Sequence, residues 1–363
     1  MNLYPFLFQP NLKTVVWGGD RLVPYKGLDG AIYTQTPYGE SWEVSAIEGS
    51  ESIIANGSLS GQKLTDIIAQ YPEAILGKKT VERYGANLPL LMKFIDADKD
   101  LSIQVHPNDE MARREHNKMG KSEMWYIIDA KPGSYLYAGF KERITPYEYK
   151  KRVEEGTITE VLAKHEVKAG DVFLLPAGRV HAICGGILLA EIQQSSDVTY
   201  RIFDYNRLGL DGKPRELHTD LASQALDYEV VEEYRTQYND QINVANQILS
   251  TPYFSCRILN LSKEDTTSVT MEGFHRNLLK YDSFIISTCI QGSCSIISRI
   301  NGSRIKLTSG NSVLIPAAIA DYDVVPHDTK CQLLDSFIDN KDLSLSSRIN
   351  RFLHIPAKLM CAF

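Results

Sequence analysis

The 363-residue chain has no apolar run of the 18 or so residues that a membrane-spanning helix requires. Its opening stretch, Met1 to Asp20, lacks the basic start and long apolar segment of a secretory leader. Cysteine is sparse: Cys184, Cys256, Cys289, Cys294, Cys331 and Cys361 form no CxxC pair. A chain this long does not depend on disulfide staples, so the expectation is a reduced, cytoplasmic protein. No GxGxxG occurs and strands do not alternate with helices, which excludes a doubly wound dinucleotide-binding fold. Excess charge is also missing. With 39 Lys and Arg against 45 Asp and Glu, the net charge is -6, which implies no general affinity for nucleic acid or an anionic membrane. An anionic ligand has to be met by a local basic cluster.

What is present is β texture and enough apolar residue, 43%, for a sizeable core. "ESWEVSAI", "LLMKFI", "MWYIIDA", "GSYLYAGF", "DVFLLPA" and "ILLAEIQQ" are short runs of branched and aromatic residues bounded by Gly, Pro, Asn or Asp. Three helical stretches interrupt them. "GQKLTDIIAQYPEAILG" spaces Leu64, Ile67 and Ile68 as one helix face. "TPYEYKKRVEEG" opens with a capping box, Thr145 and Glu148, with Pro146 at the first helical position and Gly156 as the stop. "HTDLASQALDYE" is the third. The expected architecture is mainly β, barrel or sandwich, decorated by a few helices.

An internal echo divides the chain. "GDVFLLPAGRVHAI" (170–183) and "GNSVLIPAAIADYDV" (310–324) share a Gly, an apolar strand and Pro-Ala at one offset. "WYIIDAKPGS" and "SFIISTCIQGS" upstream each end in a Gly-Ser turn. Two similar β domains follow, bridged by the polar region from about Asp227 to Gln247. Asp321 stands in register with His181, so the second copy keeps the scaffold without the histidine.

The spacing G-x5-P-x-G-x2-H, formed by Gly170, Pro176, Gly178 and His181, ends one strand, turns tightly and starts the next with an imidazole. Alone, it describes an ordinary core histidine as well as a ligand. Upstream, the alternation of "LSIQVHPNDE" puts Gln104 and His106 on one strand face and Ile103 and Val105 on the other. Two polar side chains inside a β barrel are costly unless something binds them. "GKSEMWYIID" places Glu123 at a strand start with Lys121 two residues earlier on the same face. Two imidazoles, a carboxylate and an amide oxygen suit a borderline divalent cation with an open position for substrate.

These two motifs resemble those of the cupins, and "SIQVHP" with Gln104 in place of the usual first histidine resembles type I mannose-6-phosphate isomerases. "VWGGDRL", "GESWEVS", "LLMKFIDADKDLSIQVHPND", "GKSEMWY" and "AEIQQSSDVTYRIFDYNR" extend the likeness over residues 14–220; the C-terminal third shares only the fold echo. The resemblance implies two cupin-type jelly-roll barrels: a catalytic metal-binding domain over 1–230 and a degenerate, metal-free one over 231–363. It implies one Zn2+ per chain, ligated by Gln104, His106, Glu123 and His181. The family's active-site arginine falls on Arg201, its acidic positions on Asp197 and Glu191, and its lysine before the ligand glutamate on Lys121. Ser102, Lys93 and Arg207 are the matched positions for the substrate's phosphate. Trp17 and Trp42 read as core aromatics, Trp17 also as a wall of the cavity. Longer bacterial members carry His-Lys before the ligand glutamate where this chain has Gly120 and Lys121. The partner implied is a small sugar phosphate, with neither nucleic acid nor membrane, and the chain a monomer or weak homo-oligomer.

The implied reaction interconverts mannose 6-phosphate and fructose 6-phosphate through a cis-enediol. It needs oxyanion stabilisation, for which Arg201 is suited because it stays protonated, and a base. Glu191, preceded by "GGILLA", is buried and so shifted toward a useful base; a salt bridge to Arg201 or Lys121 is its alternative. Asp197 serves to orient Arg201 or to open the ring, or else only caps the loop "SSDVT". Two further readings stay open at this level. Two histidines and a carboxylate also serve non-haem iron oxygenases, and a non-catalytic sugar-phosphate sensor can use the same barrel.

Overall fold

The computed structural model of the chain describes residues 3–35, 37–263 and 273–340. Cys361 and the end of the expected second domain, 341–363, lie outside the described residues. The fold is mainly β, in two lobes of cupin type, each a pair of facing sheets rather than a closed ring.

In the first lobe, sheet I has the strand order Leu12–Gly19, Tyr38–Val44, Leu90–Ala97, Ile187–Gln194, Glu123–Ala130 and Val172–Leu175. Sheet II follows the order Tyr200–Phe203, Ile103–Val105, His181–Ile183, Tyr135–Phe140 and Leu162–Glu166. All their pairings are antiparallel. In the second lobe, sheet III runs Phe6–Leu7, Asn311–Ile315, Ile285–Gln291, Cys331–Phe337, Ser255–Leu261 and Ala245–Ser250. Sheet IV, of four strands, faces it.

Sheet I is buried on both faces, which explains why "LLMKFI" reads as almost unbroken apolar sequence. Met92, Phe94, Met124, Tyr126, Ala190 and Ile192 point into a core shared with Ile258, Ile286, Leu314 and Leu334 of sheet III. The alternate residues of the same strands, Ile95, Trp125, Ile127 and Leu189, line the interior of the first lobe. Each fully buried side chain of this size contributes about 2 kcal/mol by removal from water, so the two lobes are welded rather than tethered. Sheet II turns Ile103, Val105, Ala182, Tyr200 and Ile202 outward against Tyr149 and Ala222 of the helices Pro146–Glu154 and Thr219–Ala225. That leaves Gln104, His181 and Arg201 facing inward.

The expected division at residue 230 is crossed twice. The first strand, Phe6–Leu7, pairs with Asn311–Ile315 of the second lobe. The helical region expected after Gly61 breaks at Pro72 into Leu64–Gln70 and Pro72–Leu76, followed by Lys78–Tyr84. Its apolar face packs into the shared core, and the backbone amides of Lys78 and Lys79 donate to the Asp282 carboxylate. The stretch 227–244 carries no strand or helix, and Tyr234 in it donates to the Phe140 carbonyl. The capping box at Thr145 and Glu148 is present as the motif predicts.

Candidate metal centre and its surroundings

The turn before His181 is held in a way that fixes the imidazole. Gly178 adopts φ +93°, a conformation that favours glycine, and a Cβ there would sit tightly, 3.0 Å from the Ala225 carbonyl oxygen. Its amide donates to the His106 carbonyl (2.9 Å) and its carbonyl accepts from Asp227 (2.8 Å). The turn thus locks the two histidine segments together. His181 pairs with Gln104 in sheet II, and Glu123 with Gln193 in sheet I, so ligands from both sheets meet inside the lobe.

His181 Nε2 lies 3.2 Å from Glu123 Oε1 and His106 Nε2 3.4 Å from Glu123 Oε2. Ligand atoms of His106, Glu123 and His181 all fall within 4.8 Å of one another, and all three residues are buried. The tautomers follow from the other ring nitrogens. His106 Nδ1 donates to the Val198 carbonyl (2.9 Å) and His181 Nδ1 to the Arg179 carbonyl (2.8 Å). A carbonyl can only accept, so both Nε2 atoms carry lone pairs.

Burial, and then Lys121, push the His106 pKa down to about 3; burial also lowers that of His181. Burial alone raises Glu123, but Lys121 and the two imidazoles outweigh it and hold the carboxyl well below its usual range. Two lone pairs and a carboxylate therefore converge on one point. His106 Nε2 and Glu123 Oε1 lack a hydrogen-bond partner, and Glu123 Oε2 has only the ion pair with Lys121. Buried acceptors arranged this way fit a divalent cation.

The fourth expected ligand, Gln104, is adjacent: its Nε2 lies 3.3 Å from His181 Nε2 while its Oε1 faces Ser102 Oγ at 3.5 Å. In this orientation the amide hydrogen-bonds the imidazole. The Trp125 ring edge meets His181 at 5.2 Å between centroids. Lys121 Nζ sits 3.0 Å from Glu123 Oε2. The "GKSE" loop is fastened by Gln194, which accepts from the Ser122 amide (2.9 Å) and donates to Asp109 (3.0 Å). The Gly120 amide donates to the same carboxylate at 2.8 Å, and a Cβ on Gly120 collides with the Asp109 nitrogen at 2.5 Å. The helix Asp109–His116 occupies the space that a side chain at residue 120 needs.

Not every expected residue joins this cluster. Glu191 does: Trp125 Nε1 donates to its Oε2 (2.9 Å), and its Oε1 lies 3.4 Å from Lys93 Nζ. Burial first, then Glu123, push its carboxyl above the usual range against Lys121 and Lys93. Lys93 is interior, held between Glu191 and Glu40 (3.5 Å) and over the Trp42 ring. Burial lowers its pKa, but Glu40, Glu191 and Glu123 prevail and raise it. Its charge is already spoken for by two carboxylates, so it is a weak candidate for phosphate.

Arg201 pairs with Gln104 across the strands, so the two share a face. Its NH1 donates to the Glu216 carbonyl (2.9 Å), and its buried Nε has no hydrogen-bond partner. Arg207 and Arg215 both bond to Asp204. Asp197 is not brought to the centre. Its carboxylate is half-exposed and paired with Lys118 at 2.6 Å, because the chain turns after Gln194 so that the Val198 carbonyl, not the Asp197 side chain, faces His106. Trp17 is 4% exposed in the apolar cluster of Ile95, Trp125 and Ile127, a core residue.

Sequence reasoning missed Glu40, Asp204 and Arg215. Glu40 had a signal in the alternation of "GESWEVS"; Asp204 lies in the "YRIFD" motif itself; Arg215, in "KPRELH", had none.

Two cupin-type lobes with a buried His/Glu/His centre in the first define a bicupin metalloenzyme. Residues 6–134 match the family described as phosphomannose isomerase type I, catalytic domain. The chain is 32% identical over 324 residues to the mannose-6-phosphate isomerase ManA of Bacillus subtilis, covering 89% of this chain and 96% of that one. It is 36% identical over 222 residues to the mannose-6-phosphate isomerase of Streptococcus mutans, covering 61% of this chain and 67% of that one. The crystal structure of a mannose 6-phosphate isomerase from Bacillus subtilis superposes with a TM-score of 0.79 at 29% identity, over 92% of this chain and 99% of that one. The chain belongs to the type I phosphomannose isomerase family.

Proposed function

We propose that the protein interconverts mannose 6-phosphate and fructose 6-phosphate in the cytoplasm, with zinc as the metal. The observation that carries this reading is the convergence of two imidazole lone pairs and the Glu123 carboxylate on one buried point beside a ring of fixed charges. When bound there, with Gln104 as a further ligand, a divalent ion supplies a Lewis acid for the sugar's carbonyl oxygen.

The chain's own residues supply the rest. Glu191, its carboxyl raised by burial and by Glu123, takes the proton from the carbon next to the carbonyl at Oε1 and returns it to the neighbouring carbon of the cis-enediol. Trp125 holds the other oxygen of that carboxylate and so aims it. Lys121 faces the developing oxyanion from the metal side. Arg201, on the face of Gln104, adds a fixed positive charge in a partly desolvated setting. Ser102 orients the Gln104 amide. The phosphate lies toward Arg201 and Arg207, away from Lys93.

The test is a coupled assay of mannose 6-phosphate conversion on the purified protein, after chelation and after zinc is restored. Loss with chelator and recovery with zinc is the expected result. Stoichiometric metal without turnover of sugar phosphate overturns the isomerase reading, and oxygen consumption then tests the iron-oxygenase one.

A further inference from the structure

The strand Ile187–Gln194 ends on a side chain that its own pattern does not predict. Leu188, Ala190 and Ile192 point into the core shared by the two lobes, while Ile187 and Leu189 line the interior of the first. Alternation brings Gln194 to the face of the shared core. It is 2% exposed, and an amide buried there costs free energy unless its oxygen and its nitrogen both find partners. An apolar residue packs in such a place without that demand. The partners that Gln194 finds all lead to one loop.

That loop, 119–122, carries no helix or strand, yet each of its residues is tied. The Met119 carbonyl accepts from Ser196 Oγ (2.8 Å). The Gly120 amide donates to Asp109 Oδ1 (2.8 Å) and the Lys121 amide to the Pro107 carbonyl (3.1 Å). The Ser122 amide donates to Gln194 Oε1 (2.9 Å), and the Ser122 carbonyl accepts from the Gln194 amide (3.1 Å). The Ser122 hydroxyl accepts from the Ala177 amide (3.1 Å), in the turn that aims His181. Gln194 Nε2 then closes the circuit on Asp109 Oδ1 (3.0 Å). One carboxylate oxygen thus holds the residue before Lys121 directly and the residue after it through Gln194.

The lysine between these anchors needs them. It is 5% exposed, and among the described residues its ammonium has one ion-pair partner, Glu123 Oε2 at 3.0 Å. A flexible four-carbon stem with a single contact at its tip is not fixed by that contact. Its place is set by where the backbone at residue 121 is pinned. The pin itself stands on a regular element: Asp109 opens the helix Asp109–His116, whose N-cap Asn108 accepts from the Met111 amide at 2.9 Å. Gly120 lets the loop come this close, because the space that its Cβ needs is filled by the Asp109 backbone.

We propose that Gln194 and Asp109 are positioning residues that set the place of the Lys121 ammonium against Glu123. That the ammonium then faces the sugar's developing oxyanion rests on the isomerase reading above; where the ammonium sits does not.

The experiment combines kinetics with mannose 6-phosphate and crystal structures, all on zinc-loaded protein. Gln194→Leu keeps the bulk and loses both side-chain bonds, leaving the Ser122 amide unpaired. It is expected to lower kcat by roughly 10- to 100-fold, as a displacement of about 1 Å does, with KM changed less than about threefold. Zinc content is expected to equal that of wild type. Asp109→Ala is expected to lower kcat as well, and Asp109→Asn, which keeps an acceptor oxygen, to recover part of that loss. In a Lys121→Met background, adding Gln194→Leu should change kcat by less than about twofold, because a residue that acts through the lysine has nothing left to place. A glutamine that only supports the fold costs the same in both backgrounds. Equal losses in the two backgrounds, or a Gln194→Leu kcat equal to that of wild type, overturn the proposal and leave the isomerase reading standing. If wild type itself turns over no sugar phosphate, the isomerase reading falls and the crystal structures decide the proposal; they decide it also if Lys121→Met has no measurable turnover. A Lys121 Nζ displaced from Glu123 Oε2 in Gln194→Leu upholds the positioning role, and an unmoved one refutes it. Should Gln194→Leu fail to fold, the two Asp109 variants decide by the same measures.

Discussion

In the second lobe the central strand Cys331–Phe337 holds Asp335, and no metal-ligating group of three or more His, Cys, Asp or Glu occurs there among the described residues. Asp335 is fully buried. It accepts from Arg276 NH2 (2.9 Å) and Nε (3.2 Å), from Ser287 (2.8 Å) and from Tyr322 (3.3 Å). An internal ion pair thus fills this lobe's interior. Removing one member of a buried pair costs about 3–5 kcal/mol, because the other is left uncompensated. Arg276→Met leaves Asp335 with two hydroxyl donors and the option of taking up a proton, so the lower figure, about 3 kcal/mol, applies. Asp335→Leu strands a guanidinium with no such option, and the cost is about 5 kcal/mol. Replacing both together removes the unpaired charge as well as the pair, and the double variant should lie within about 2 kcal/mol of wild type. The assay is urea unfolding of zinc-loaded protein followed by far-ultraviolet circular dichroism, with zinc content measured alongside. Zinc content is expected to hold in all three, since His106, Glu123 and His181 belong to the other lobe. A cost under 1 kcal/mol for Arg276→Met, or a double variant as unstable as the sum of the singles, refutes the reasoning.

Three further outcomes are expected. Chelation should lower the unfolding free energy by about 4 kcal/mol relative to protein in metal at a thousand times its dissociation constant, and a melting temperature indifferent to zinc would show that the centre binds none. Gly178→Ala should lose about 1–3 kcal/mol through its φ of +93° and bind zinc more weakly, because the turn that aims His181 is distorted; unaltered zinc affinity by competition with a chelating dye would speak against that coupling. Asp204 is held below its ordinary value of 3.8 by Arg215 and Arg207, which together overcome its burial. A depressed carboxyl stabilises above its unfolded pKa and loses that contribution as pH falls through the folded one, so Asp204→Asn should flatten the stability loss below about pH 4; an acid limb identical to wild type counts against the clamp.

How far the sequence discloses this site depends on where each residue gets its address. Gln104, His106 and His181 were legible because strand alternation and a Gly-Pro turn are local rules, and the buried centre obeys them. The fate of Asp197 and Lys93 was not, because it depends on partners far along the chain: Lys118 for one, Glu40 and Glu191 for the other. Arg215 becomes meaningful only when a backbone bend at Tyr205 and Asn206 brings it to Asp204, and no periodic pattern encodes that bend. The repeat at 170–183 and 310–324 falls on Val172–Leu175 with His181–Ile183 in one lobe and on Asn311–Ile315 with Asp321–Pro326 in the other. It gave no hint that Phe6–Leu7 crosses between them, since two residues are too few to carry a pattern.

That crossing strand has a consequence for how the protein is made. Leu7 emerges from the ribosome 306 residues before its partner Val313. At about 5–20 residues per second the wait is roughly 15 to 60 seconds. Sheet I is complete only once Gln194 is made, and its apolar face with Phe94 and Tyr126 then waits for Ile258, Ile286, Leu314 and Leu334 to cover it. A nascent chain of this design completes the metal-binding lobe with its back exposed, and the strands from Ala245 to Phe337 are what seal it.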